Sequence, residues 1–208
     1  MQSSLPEHLS SLYDARADEI RSRLSEYASV PRDRWFYELC FCLLTPQSSA
    51  VHANQVQAQL ESCRFLETGI DVEHILRAPE NYIRFHRTKH RRLHLAREQW
   101  SMIEDLLTSD LNAVARRDAI KEMVNGFGLK EASHFLRNIG HRGLAIIDRH
   151  LLTNLVVCGV YDAIPSVATV QRYREVELAL LAYSKSVSID MDELDLLFWC
   201  AQTGHILK

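Results

Sequence analysis

The chain has 208 residues, is 47% apolar and 25% charged, and carries a formal net charge of −3. That composition excludes disordered, fibrous and membrane-spanning classes and suits one sizeable core or two small interlocked lobes. The opening MQSSLPEHLSS lacks the basic flank and apolar run of a leader, and no segment nears the roughly 18 apolar residues of a membrane span, so a cytoplasmic protein is expected.

In chain order, Ile20, Leu24 and Tyr27 recur at three- and four-residue steps, the mark of an amphipathic helix. LLTPQSSA (43–50) then breaks the pattern, with Gln47 as a polar residue near a helix start. Between Arg84 and Arg97 stand six Lys/Arg and three His without an acid, whereas Glu175 to Asp195 holds six acids and only Lys185 as a base. The net charge therefore hides a basic segment able to meet phosphate, through Arg87, Arg91 and Arg92. His86, His90 and His94 share a helical face, but the surrounding cations would repel a metal ion, so phosphate contact or solvation is the better reading. Leu93, Ala96, Trp100, Ile103 and Leu107 continue the helical period.

Asp110, Asp148 and Asp190 each precede a helical pattern and can cap it, while Gly140 and Gly204 follow one and can close it. All seven glycines and all five prolines fall between periodic segments. The expectation is an all-α chain of about eight to eleven helices without a sheet. The cysteines, Cys40, Cys42, Cys63, Cys158 and Cys200, fit neither a paired zinc site nor an iron–sulfur spacing. They read as buried free thiols in a reducing compartment.

The most informative stretch is AIKEMVNGFGLKEASHFLRNIGHRGLAIIDRH, 119–150. A helix ends near Val124, turns through Asn125-Gly126-Phe127-Gly128, and a second begins near Leu129. Gly126 and Gly128 permit positive φ, and the amides opening the second helix can hold an anion such as a DNA phosphate, although most such turns are simply tight connections. Lys130 lies in the first turn of that helix. Most lysines there are merely solvated, but the positive helix end and partial burial favour the neutral, nucleophilic amine. Asp148 stands eighteen residues on, after the apolar run 144–147. A cap explains it sufficiently and does not exclude a catalytic role.

The hairpin, its lysine, the later aspartate and the ASHFLRNIG continuation resemble the helix-hairpin-helix DNA glycosylase superfamily. LLTPQSSA, RFHRTKHRRL and the ending FWCAQTGHILK are similar to the archaeal-type 8-oxoguanine DNA glycosylase/AP lyase family, whose members end in a lysine. The four-cysteine cluster of endonuclease III-like members is absent. The resemblance implies a two-lobed all-α fold with the active site in the interlobe cleft, one lobe spanning 32–147 and the other formed by 1–31 and 148–208. It implies removal of 8-oxoguanine from double-stranded DNA by a monomer, without a cofactor or a membrane. Lys130 would form a Schiff base and Asp148 would stabilise charge on the sugar. Phe85, Trp199 and Lys208 would hold the base, and Gln47 would fill the gap left by the flipped nucleotide. Read without the resemblance, Phe85 and Trp199 are core aromatics, Gln47 a loop residue and Lys208 a solvated tail. A glycosylase for oxidised pyrimidines, an abasic-site lyase and a non-catalytic DNA-binding module are the rival functions.

Overall fold

A computed structural model describes residues 4–206. Among them stand twelve α-helices and two 3-10 turns, with no strand. The helices are α1 (Glu7–Ala28), α2 (Trp35–Leu44), α3 (Ala50–Ser62), α4 (Phe65–Thr68), α5 (Glu73–Leu76), α6 (His86–Glu98), α7 (Trp100–Leu107), α8 (Ala113–Met123), α9 (Leu129–Asn138), α10 (Arg149–Val157), α11 (Val170–Val187) and α12 (Met191–Thr203). Two of them, α4 and α5, are single turns, too short to show a period in the sequence. The period through Leu93, Ala96, Trp100, Ile103 and Leu107 is real in that all five are buried, yet the helix is interrupted at Gln99 between α6 and α7. No helix among the described residues is long and apolar enough to cross a membrane.

The chain divides into two compact units, Val30–Phe135 and the segments on either side of it. In Val30–Phe135 the centre is α2, whose residues from Phe36 to Leu44 are all buried. Helices α3 and α6 pack on it. Phe36 stacks on Phe65 and meets Trp100 edge-on, with centroids 6.1 and 5.3 Å apart. Each such apolar side chain removed from water contributes about 1.5–3 kcal/mol. The one acid on α2, Glu38, is buried and accepts from Gln57 on α3 at 2.8 Å.

In the other unit α12 is the centre, with α1, α10 and α11 packed around it. Leu194, Leu196, Leu197 and Phe198 are almost wholly buried there. Arg137, on the last turn of α9, pairs with Asp195 of α12 at 2.6 Å and lies over the Tyr27 ring of α1.

The division falls within α9, at Phe135/Leu136, twelve residues before the expected boundary at Ile147. Residues 136–147 group with the terminal helices for a definite reason: Leu144 to Ile147 are buried, and the polar backbone of this non-helical stretch is satisfied by side chains of α11 and α12. Of the expected caps, Asp148 and Asp190 accept amides of α10 and α12, and Gly204 closes α12 in the left-handed conformation. Asp110 does not cap α8; Asn112 does, accepting from the Ala115 amide at 2.9 Å. The chain after α7 needs two more residues before it turns into the helix, and Asn serves there as well as Asp.

Gly140 follows α9 at φ +95°, and a Cβ there would stand 2.9 Å from the Ala28 Cα. Gly159 has φ +69° but open space around it. Gly140→Ala is therefore expected to destabilise by about 3 kcal/mol, from left-handed strain plus overlap with backbone, and Gly159→Ala by only about 1–2 kcal/mol. Urea denaturation of the two variants checks the difference.

Candidate active site

The turn between α8 and α9 closes with the Phe127 amide donating to the Val124 carbonyl at 3.1 Å. Gly126 adopts φ +98°, but Gly128 does not have a positive φ. Phe127 is buried against Phe135 of α9, so the turn is anchored by an aromatic pair. The expectation that the amides opening α9 are free for an anion needs correcting at Gly128. Glu131, in the first turn of α9, reaches back to accept the Gly128 amide at 3.1 Å, half of a capping-box exchange. Its other oxygen stands 3.8 Å from the Lys130 Nζ. Lys130 is half-buried at 31% side-chain exposure, enough to be reached from solvent while Leu129 beside it is packed into the core.

Asp148 belongs to the other unit and begins α10 with extended backbone. Its Oδ1 accepts two amides, from His150 and Leu151, both at 2.9 Å. Oδ2 makes no hydrogen bond or ion pair among the described residues.

The segment that delivers Asp148 is held at every second amide. Gly143 donates to Asp192 at 3.0 Å, Ala145 to Glu177 at 2.9 Å, and Ile147 to the Tyr173 hydroxyl at 3.3 Å. That hydroxyl in turn donates to the Ala145 carbonyl at 2.6 Å. Three side chains of α11 and α12 thus supply the hydrogen-bond partners that a buried segment outside any helix would otherwise lack. Burial pushes the Asp192 carboxyl up, against the pull of the Gly143 amide and Arg142.

Trp199 is in the same unit. Its ring meets His150 edge-on at 4.9 Å, and its Nε1 is buried with no hydrogen-bond partner among the described residues. Asp148, His150 and Trp199 therefore form one group, fastened by Asn154 of α10, which donates to the His150 carbonyl and to the Phe198 carbonyl of α12. His150 was not singled out in the sequence. Only its place two residues past Asp148 pointed to it.

In Val30–Phe135 the basic segment separates into inward and outward residues. Arg97 donates to the Leu66 and Glu67 carbonyls, and its guanidinium lies against Gly69. Lys89 is buried. Arg92 lies against Gly126, where a Cβ would come within 2.5 Å of its Nε, so it braces the hairpin. Arg91 is exposed, and Arg87 is 87% exposed with only a loose approach to Glu73 at 3.6 Å. His86 and His90 approach Glu73 and Asp71, and His94 meets the His90 ring at 4.6 Å. Among the described residues no group of three or more His, Cys, Asp or Glu is placed to hold a metal ion.

Phe85 is not a core aromatic: it is half exposed, sits at φ +59° just before α6, and has Arg84 over its ring at 4.9 Å. Gln47 is also exposed and left-handed, at φ +57°, in a turn closed by the Ser48 amide and the Thr45 carbonyl. Lys208 lies outside the described residues. The cysteines are free; four are buried, but Cys63 is only half-buried because it sits at the exposed end of α3.

The family model of the 8-oxoguanine DNA glycosylases matches residues 20–189. An 8-oxoguanine DNA glycosylase/AP lyase of Methanocaldococcus jannaschii is 34% identical over 92% of each chain. One from Fusobacterium nucleatum is 36% identical over 95% of this chain and 94% of its own. The crystal structure of the M. jannaschii glycosylase/lyase in complex with a 15mer DNA containing 8-oxoguanine superposes with a TM-score of 0.85 at 31% identity, covering 98% of this chain and 100% of that one.

Because Asn caps a helix about as well as Asp, Asp148→Asn is expected to change stability by less than about 0.5 kcal/mol, whereas Asp148→Ala costs about 1 kcal/mol. Thermal melting of both variants separates the capping role of the side chain from any other.

Proposed function

The chain belongs to the 8-oxoguanine DNA glycosylase family, and from that premise we propose that Lys130 and Asp148 divide the work of excising 8-oxoguanine and cutting the strand. The enzyme is a bifunctional DNA glycosylase and abasic-site lyase of base-excision repair. What supports the assignment of residues is a solvent-accessible lysine in the first turn of the hairpin's second helix and, separately, an aspartate whose Oδ1 accepts two amides.

A damaged base inside a duplex is unreachable, so its nucleotide is extruded at a cost of a few kcal/mol in stacking. The Lys130 Nζ lone pair forms a bond to C1′ as the C1′–N9 bond breaks, and the base leaves with that electron pair and gains a proton. Sugar-ring opening gives the Schiff base. The cationic imine acidifies the C2′ proton; its removal expels the 3′ phosphate oxygen and cuts the strand on the 3′ side. The Asp148 carboxylate stabilises the positive charge that grows on the sugar while the glycosidic bond lengthens. Its held Oδ1 fixes the carboxylate's orientation before the reaction, so little reorganisation is needed.

Selectivity for 8-oxoguanine requires an acceptor for the N7–H that guanine lacks, together with flat surfaces for the ring. The exposed Phe85 and the Trp199 ring beside His150 are suited to the second task. Arg87 and Arg91, exposed on α6, are suited to the phosphate backbone, and the monomer is taken as the working unit.

Lys130→Gln is expected to abolish product formation on an 8-oxoguanine duplex while DNA binding stays within about threefold of the parent, since one neutralised contact is worth little beside the backbone contacts. Asp148→Asn is expected to slow single-turnover base release by about 10²–10³-fold, the scale on which loss of transition-state charge stabilisation is felt. Parental rates in either variant would remove that residue from the chemistry. Neutralising Arg87 and Arg91 together should weaken binding to damaged and undamaged DNA alike and flatten the log–log salt dependence by about one unit per lost contact. Filter-binding titrations across a salt series check this.

A further inference from the structure

Gln47 and Phe85, two exposed left-handed residues of Val30–Phe135, are far apart in sequence and are joined by one buried cation. Lys89 is 2% exposed, and its Nζ donates to the Leu44 carbonyl at 2.7 Å, the Pro46 carbonyl at 2.7 Å and the Ser48 Oγ at 3.0 Å. An ammonium has three protons, so every donor is used. Two of the acceptors belong to the unpaired, partially negative C-terminal end of α2 and the turn that follows it. The third, Ser48, immediately follows Gln47 and also accepts the Arg84 amide at 3.0 Å, immediately before Phe85. Lys89 in turn begins α6 with its own amide on the Phe85 carbonyl.

Nothing here is a surface charge. Burial first, and then the nearby Arg92 charge, push the Lys89 amine down to about 8, and the site keeps the cation only because all three protons are bonded. Non-glycine residues at positive φ carry backbone strain and persist where their surroundings over-determine them. The Lys89–Ser48–Arg84 knot supplies that restraint at both ends at once.

We propose that Lys89, acting through Ser48, is a positioning residue that locks the Gln47 turn and the Phe85 turn into one rigid element, so that base contact and gap filling are gained or lost together. The inference rests on the roles given to Phe85 and Gln47 above. A lysine in a basic segment is thereby assigned to the protein's own carbonyls and not to DNA phosphate.

The test is a pair of double-mutant cycles on single-turnover 8-oxoguanine excision, with rates normalised to folded protein by circular dichroism. Ser48→Ala removes the shared acceptor with the least disturbance. It is expected to lower the excision rate about tenfold, and its doubles with Gln47→Ala and with Phe85→Ala to fall no more than about twofold below the slower single variant, as coupled sites do. Ser48→Thr keeps the oxygen and is expected near the parental rate, which general destabilisation at this position would not allow. Doubles whose losses multiply, or Ser48→Ala at the parental rate, overturn the proposal. Phe85→Ala at the parental rate would instead refute the reading of Phe85, and the Gln47 cycle alone would then decide the coupling.

Discussion

Backbone that leaves a helix inside a packed protein must find new hydrogen-bond partners, and in this all-α fold that requirement sets where several charged side chains stand. Each helix end leaves amides or carbonyls unpaired. Asp148 meets two such amides at α10, Glu131 meets the Gly128 amide before α9, and Lys89 meets carbonyls at the end of α2. An unpaired buried group costs about 1–3 kcal/mol, comparable with a sizeable part of a domain's net stability. The side chains that stabilise these junctions are thereby held in fixed geometry.

The delivery of Asp148 shows the principle at greatest length. Residues 144–147 are buried and outside any helix, with no strand among the described residues to pair with, and Asp192, Glu177 and Tyr173 take the amides of Gly143, Ala145 and Ile147 in its place. These polar residues come from α11 and α12, the acidic stretch that the sequence showed only as a charge imbalance. Part of that acidity serves the fold locally: Asp195 pairs with Arg137, and Asp192 is buried beneath the loop that it holds.

Helix periodicity made most of the fold legible, because burial of one stripe imposes a spacing that survives without any structure: Ile20, Leu24 and Tyr27, and Leu93, Ala96, Trp100, Ile103 and Leu107, are all buried. The hairpin and the caps at Asp148 and Asp190 were legible for a similar local reason. What could not be read was whatever depended on tertiary partners. The break at Gln99 leaves the apolar spacing intact, and the boundary near Phe135 is set by long-range bonds to α11 and α12. The left-handed turns at Gln47 and Phe85 carry no glycine to announce them. Lys89 and Arg97 look like Arg87 in the sequence, yet only carbonyls contributed from distant elements turn them inward.

Lys130 is proposed to make the covalent bond to the sugar, and the account stands or falls on which amine makes it. Borohydride reduction during reaction with an 8-oxoguanine duplex, followed by proteolysis and mass spectrometry, identifies the residue that carries the sugar remnant. The account predicts the adduct on the peptide containing Lys130 and on its Nζ. An adduct on another lysine or on the terminal amine, with Lys130 unmodified, would contradict it.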